Sequence, residues 1–176
     1  MLPTQTRSLT FLLERPSRVS TTNGTHPEAQ VSRIAGAYGP NEKKTEFQKG
    51  NVYFLSSPYY EKAGRFPEAG GGLFSTSHDI LQYGRMLANN GELNGRRYLS
   101  PESMNELRKK QTGQTDVNYS LGYHLRNGLF GHDGAYGTDL SVDPKSGMIA
   151  IFMTQCTSGA QWSARDRFLD IARRVF

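Results

Sequence analysis

Six consecutive residues, Met148-Ile149-Ala150-Ile151-Phe152-Met153, carry neither a polar side chain nor any alternation. An extended strand points successive side chains to opposite faces, so a strand of this composition is stable only when both faces are covered. That requirement predicts a central strand over 148–155. One cover is legible downstream, where Ala164, Phe168, Ile171, Ala172 and Val175 recur at helical spacing and predict an amphipathic closing helix over 163–175. Arg173 and Arg174 fall at its C-terminal end, where positive charge complements the helix dipole. Upstream, Tyr119 to Leu125, Gly128 to Gly134 and Gly137 to Val142 are bounded by Gly, Asn, Asp and Pro, as successive antiparallel strands require. Asp143-Pro144-Lys145-Ser146-Gly147 is a compact hairpin loop leading into the apolar strand.

Two helices precede this sheet. Thr76 with Asp79 forms a capping pair, and Ile80, Leu81, Tyr83, Gly84 and Leu87 give one apolar face before Asn89-Asn90-Gly91 stops the helix. His78, in the first turn, reads as solvated. The second helix is announced by Ser100 as N-cap and Pro101 at the first helical position, with Leu99 placed to staple against Met104, and runs to about Lys110. Three glycines at 70–72 lead into this ordered part with backbone freedom other residues lack. Residues 1–64 are rich in Thr, Ser, Pro, Gly and charge, without a sustained period, and are read as a loop-rich segment of the same domain as residues 65–176. No internal repeat is visible.

Composition removes several function classes. The net charge is +5, yet Lys and Arg are scattered among acids with no block of five, and no basic helix or zinc spacing accompanies them, so nucleic acid is not an expected partner. Cys156 is the only cysteine, which excludes an internal disulfide and a cysteine-based metal cluster. The only apolar run near the N-terminus, Phe11-Leu12-Leu13, is too short for a signal-peptide core or a membrane span. No cofactor or metal motif is present, and the compartment stays open.

The segment Gly131-His132-Asp133-Gly134-Ala135-Tyr136-Gly137-Thr138 lies where two of the predicted strands meet. With the stretch Gly70 to Met104 upstream, and the Asp143 to Gly147 turn and Met148 to Gln155 strand downstream, it resembles the serine β-lactamase and penicillin-binding-protein-like hydrolases, especially their class C-like esterase and peptidase branch. The match is firm over about Arg65 to Gln155 and loose at Arg33 to Tyr38. The resemblance implies an α+β fold, in which an antiparallel sheet carries a C-terminal covering helix and a small helical region beside a cleft. Its third motif, Lys-Thr-Gly or His-x-Gly, corresponds to His132, Asp133 and Gly134. His132 in place of Lys points toward esterase- or peptidase-like members and away from lactam hydrolysis.

In that family a Ser-x-x-Lys motif supplies the nucleophile, activated by neighbouring Lys and Tyr groups. Here the residues three before Lys43, Lys44, Lys49, Lys62, Lys109, Lys110 and Lys145 are Pro40, Asn41, Glu46, Tyr59, Glu106, Leu107 and Val142, none of them Ser. No Tyr is followed two positions on by Asn, and Ser103-Met104-Asn105, the one Ser-x-Asn, falls in a predicted helix start. The resemblance therefore implies an incomplete fold. It also implies a cleft wall in which His132 faces the reaction, Gly134 lets substrate approach, and the Ala135 backbone N–H is one of two oxyanion donors; Asp133 and Tyr136 are weaker candidates.

Two functions are compatible with these residues. One is the C-terminal portion of a serine hydrolase acting on an ester, amide or lactam, small molecule or peptide, and inactive alone. The other is a non-catalytic module binding a partner through the residual cleft or a free strand edge. In the family the 148–155 strand pairs outward with a strand from the N-terminal half, so an unpaired edge, self-association or dependence on that half is expected.

Overall fold

A computed structural model describes residues 34–50 and 75–175. Eight strands and three helices run in the order β1 (Tyr38–Pro40), β2 (Phe47–Lys49), α1 (Ser77–Ala88), β3 (Glu92–Leu93), β4 (Arg96–Arg97), α2 (Pro101–Arg108), β5 (His124–Arg126), β6 (Leu129–Asp133), β7 (Asp139–Val142), β8 (Ile149–Phe152) and α3 (Ala160–Val175). The expected α+β architecture is present, with β5-β6-β7-β8 as one antiparallel sheet. The 70–72 glycines and the Phe11–Leu13 run lie outside the described residues.

Turn chemistry sets each connection. Asn127 and Gly128 both have positive φ (52° and 84°), giving the two-residue turn whose twist matches paired strands. Asp143 closes the β7–β8 loop by accepting the Lys145 N–H on its side chain (2.8 Å) and the Gly147 N–H on its carbonyl (2.9 Å). Asn94-Gly95 builds the small β3–β4 hairpin in the same way as Asn127-Gly128. The Asn-Gly pair is the local signal for that hairpin, which the strand expectations from sequence do not include. The first predicted strand begins late: Tyr119 to Tyr123 form a tight loop, Ser120 N–H to Tyr123 carbonyl at 2.8 Å, and only then does β5 start.

Both faces of the sheet are covered, as the apolar 148–153 run demands. On one face Phe130 and Val142 pack with Met86 and Leu87 of α1, Leu93 of β3 and Met104 of α2. On the other, Leu129, Met148 and Ala150 pack with Phe168, Leu169 and Ala172 of α3. The fully buried Phe130, Met86, Leu87, Met104 and Val142 each contribute about 1.5–3 kcal/mol relative to exposure. Both predicted N-caps form: the Thr76 hydroxyl accepts the Asp79 N–H (3.2 Å) and the Ser100 hydroxyl accepts the Ser103 N–H (3.1 Å). Ser103 is thus engaged in capping and Met104 is fully buried, so Ser103-Met104-Asn105 belongs to the helix.

Two expectations change. The apolar strand β8 stands at the end of the four-stranded order among the described residues and not at its centre. Residues 34–50 also hold a hairpin, β1–β2, whose Asn41 side chain accepts the Thr45 N–H (3.0 Å). Its first strand docks in parallel just beyond β8, with Tyr38 N–H to Gln155 carbonyl at 2.8 Å and Thr157 N–H to Tyr38 carbonyl at 2.9 Å.

Candidate active site

Strand alternation divides β6 between two faces. Phe130 points to the α1 face, and Leu129 and Asp133 to the α3 face. Pairing of Gly131 with Ser141 brings the two strands so close that a Cβ at Gly131 would collide with the backbone of Leu140 and Ser141. Beyond Asp133 the chain turns at 134–138, with Gly134 N–H to Thr138 carbonyl at 2.7 Å and Gly137 N–H to Gly134 carbonyl at 2.8 Å.

His132 is exposed at the strand end. Its Nδ1 lies 2.6 Å from the Asp133 carbonyl, an atom that can only accept, so Nδ1 carries the proton. Nε2 is then the lone-pair nitrogen and accepts from the Tyr119 hydroxyl at 3.0 Å. The ring also stands 4.9 Å from that of His124. Ala135, in the turn, is exposed, and its backbone N–H has no hydrogen-bond partner among the described residues. Its carbonyl accepts from Gln161 Nε2 (3.4 Å) and the Tyr136 carbonyl accepts from the Cys156 N–H (2.9 Å) and the Thr154 hydroxyl (3.1 Å), so α3 and the end of β8 hold the turn.

Beside Gly134 the structure places Thr138: a Cβ there would collide with the Thr138 hydroxyl, so the missing side chain serves the turn itself. Tyr136 is tied in through its backbone. His78 is exposed on the first turn of α1, as read from the sequence.

Asp133 sits in a charged cluster. Arg126 Nη2 lies 2.5 Å and His124 Nε2 3.3 Å from its Oδ1, and Arg165 Nη1 3.3 Å from its Oδ2. Buried Asp139, opposite it on β7, accepts the Ser141 hydroxyl (2.7 Å), with Arg165 at 3.8 Å and Arg126 at 4.0 Å. Burial pushes the Asp133 carboxyl upward, but Arg126, His124 and Arg165 together outweigh it and hold the group below the usual aspartate range. Asp139 goes the other way, because burial outweighs Ser141, Arg165 and Arg126. Burial and then the Arg126 charge push the His124 imidazole down, against Asp133.

The sequence thus located His132, Gly134 and Ala135 on one strand and turn, but missed the residues that surround them. Tyr119, His124, Arg126, Asp139, Gln161 and Arg165 reach the segment only through strand register and helix docking. None stands at a motif spacing from it.

A sheet covered by a helical region on one face and a C-terminal helix on the other, with an exposed His-x-Gly strand end, is the arrangement expected of the serine β-lactamase-like fold. The Beta-lactamase family model matches residues 8–173, reaching well N-terminal of the stretch most legible in the sequence, and the chain belongs to that family. It is 31% identical to Protein Rv1367c of Mycobacterium tuberculosis over 51% of this chain and 29% of that protein, so it spans under a third of this curated relative. Two solved structures share the fold. A penicillin-binding protein homolog from Caulobacter crescentus superposes with TM-score 0.61 at 17% identity, over 86% of this chain and 47% of the other. EstCE1, a hydrolase with promiscuous acyltransferase activity, gives 0.58 at 18% identity, over 85% and 45%.

Proposed function

We propose that this chain supplies one wall of a serine acyl-transfer cleft for an ester, amide or lactam, small molecule or peptide. The supporting observation is exposed His132 at the end of β6, followed in the next turn by exposed Ala135, whose N–H has no hydrogen-bond partner among the described residues. In this reading the Ala135 N–H donates to the oxyanion that forms as a nucleophile attacks the carbonyl, a contribution worth about 2.7–4 kcal/mol per donor in sites of this kind. His132, with Nε2 as acceptor, takes a hydrogen bond from substrate or from the nucleophile's proton network. Gly134 keeps the strand end narrow where substrate lies. Residues 1–64 and 65–176 act as parts of one domain.

Because no Ser-x-x-Lys or Tyr-x-Asn occurs in the 176 residues, this wall lacks the nucleophile's half of the reaction within the chain. These 176 residues alone are expected to be inactive, the nucleophile and its partners belonging to the N-terminal part of the family fold. Mass spectrometry after incubation with a fluorophosphonate or a penicillin tests this. The expected spectrum shows unmodified protein, and a stoichiometric adduct on any Ser of this chain would overturn the reading. A second reading, a binding module without catalysis, draws support from the position of β8 at the end of the sheet among the described residues. It predicts the same unmodified protein and, unlike the first, no recovery of hydrolysis when a family N-terminal half is added.

A further inference from the structure

We infer that His124, His132 and Asp133 form a binding site for a divalent metal ion of the zinc type, an inference that does not rest on the acyl-transfer reading. Two imidazoles and one carboxylate are the donor set of three-ligand zinc sites, which keep a fourth position open. Each residue offers one ligand atom, and the three atoms lie within 4.8 Å of one another. Donors at zinc-bonding distance stand about 3.4 Å apart in a tetrahedron. The His124 Nε2 to Asp133 Oδ1 edge already measures 3.3 Å. The other two edges lie within 4.8 Å, and His132, the exposed member, must leave Tyr119 to bind an ion.

The backbone explains why the three meet. Register places His124 directly opposite Gly131, and glycine there leaves no side chain between His124 and the two residues that follow Gly131. Two of the ligands therefore sit in consecutive positions of β6 and the third on its paired neighbour. With Nδ1–H engaged by the Asp133 carbonyl, His132 offers its lone pair at Nε2, which the Tyr119 hydroxyl must release to an ion. His124 also lines a groove of about 570 Å³ between β5 and α3, which gives an ion a path from solvent.

Two guanidiniums oppose the ion. Arg126 and Arg165 both hold Asp133, and a metal on Oδ1 must displace Arg126 from that oxygen. Asp139 Oδ2, 4.0 Å from Arg126 Nη1, receives the displaced group, and Asp166, 2.7 Å from Arg165, offsets the second charge. Arg165 stays on Oδ2 and fixes the carboxylate plane, as outer-shell partners do in metal sites.

Calorimetric titration of Zn²⁺ into the tag-free full chain, with imidazole ¹H–¹⁵N spectra recorded alongside, tests the site. The expected result is one ion per chain, with the His124 and His132 resonances shifting together. His124→Ala and His132→Ala should each weaken binding by at least about tenfold, and Asp133→Asn by a similar factor. His78→Ala, on α1 and outside the cluster, should leave it unchanged. Should His124→Ala lose its native circular dichroism, His132→Ala decides, because that side chain is exposed. Absence of binding, binding that survives His132→Ala, or binding that His78→Ala abolishes would each overturn the site.

Discussion

Asp133 and Asp139 face each other across β6 and β7, yet folding treats their charges oppositely. Asp133 is held below the usual aspartate range, so the stability it supplies is present above that range and lost as pH falls through its lowered native value. Asp139 is raised by burial, so its contribution is fully present at acid pH and lost as pH rises through its raised value. Replacing Asp133 with Asn should therefore cost stability at pH 7, about 1–3 kcal/mol for a hydrogen-bonded charge, and progressively less toward pH 3. Asp139→Asn should cost less at pH 7, since the neutral amide can still accept the Ser141 hydroxyl. Urea unfolding of both variants at pH 7 and pH 3 and one fixed protein concentration measures the difference; a larger penalty for Asp139→Asn at pH 7 contradicts the assignment.

At the scale of elements, Gly84 decides how closely α1 lies on the sheet. A Cβ there would stand 2.6 Å from Ile149 Cγ2 and 3.3 Å from Leu140 Cδ1, closer than carbon atoms tolerate. Gly84→Leu should destabilise the fold by about 1–3 kcal/mol as an overpacked contact, in spite of leucine's better helix propensity. Unchanged thermal and urea midpoints would show that α1 has slack against β7 and β8. The apolar face of α1 was readable because helical spacing is local, and so were the caps at Thr76 and Ser100. The rotation of α3 was not. Spacing placed Ala164, Ile171 and Val175 inward, whereas Gln161, Arg165, Phe168, Leu169 and Ala172 are the residues turned toward the protein, and Ile171 and Val175 stand 53% and 71% exposed. Ion pairs from Arg165 to Asp133 and Asp139 help fix that rotation. A partly buried arginine reads as polar in any hydrophobic pattern until its carboxylates are known, and those arrive from strands more than twenty residues away. The same reason hid His124 and Tyr119 from a reading that found His132 beside them.

At the scale of the molecule, the covering of the sheet leaves an apolar remainder. Ile171 and Val175 lie one helical turn apart on the outer face of α3, and Met153, 44% exposed, follows β8 at the end of the sheet among the described residues. Exposed apolar side chains and a strand end of this kind are templates for association. The net charge of +5 on 176 residues offers only weak repulsion between copies at physiological salt, where screening sets in within about 8 Å. A second copy is the occupant always available to a purified chain, so the isolated protein is expected to self-associate. Sedimentation velocity across a hundredfold dilution should show a sedimentation coefficient that rises with concentration. Ile171→Glu with Val175→Glu should suppress that rise without altering the core, because neither side chain belongs to either hydrophobic cluster. A concentration-independent monomer that unfolds cooperatively would mean that this face is satisfied within the chain. Association that survives the double glutamate variant would instead transfer the contact to the strand end at β8, where charged substitution of Met153 is the corresponding test.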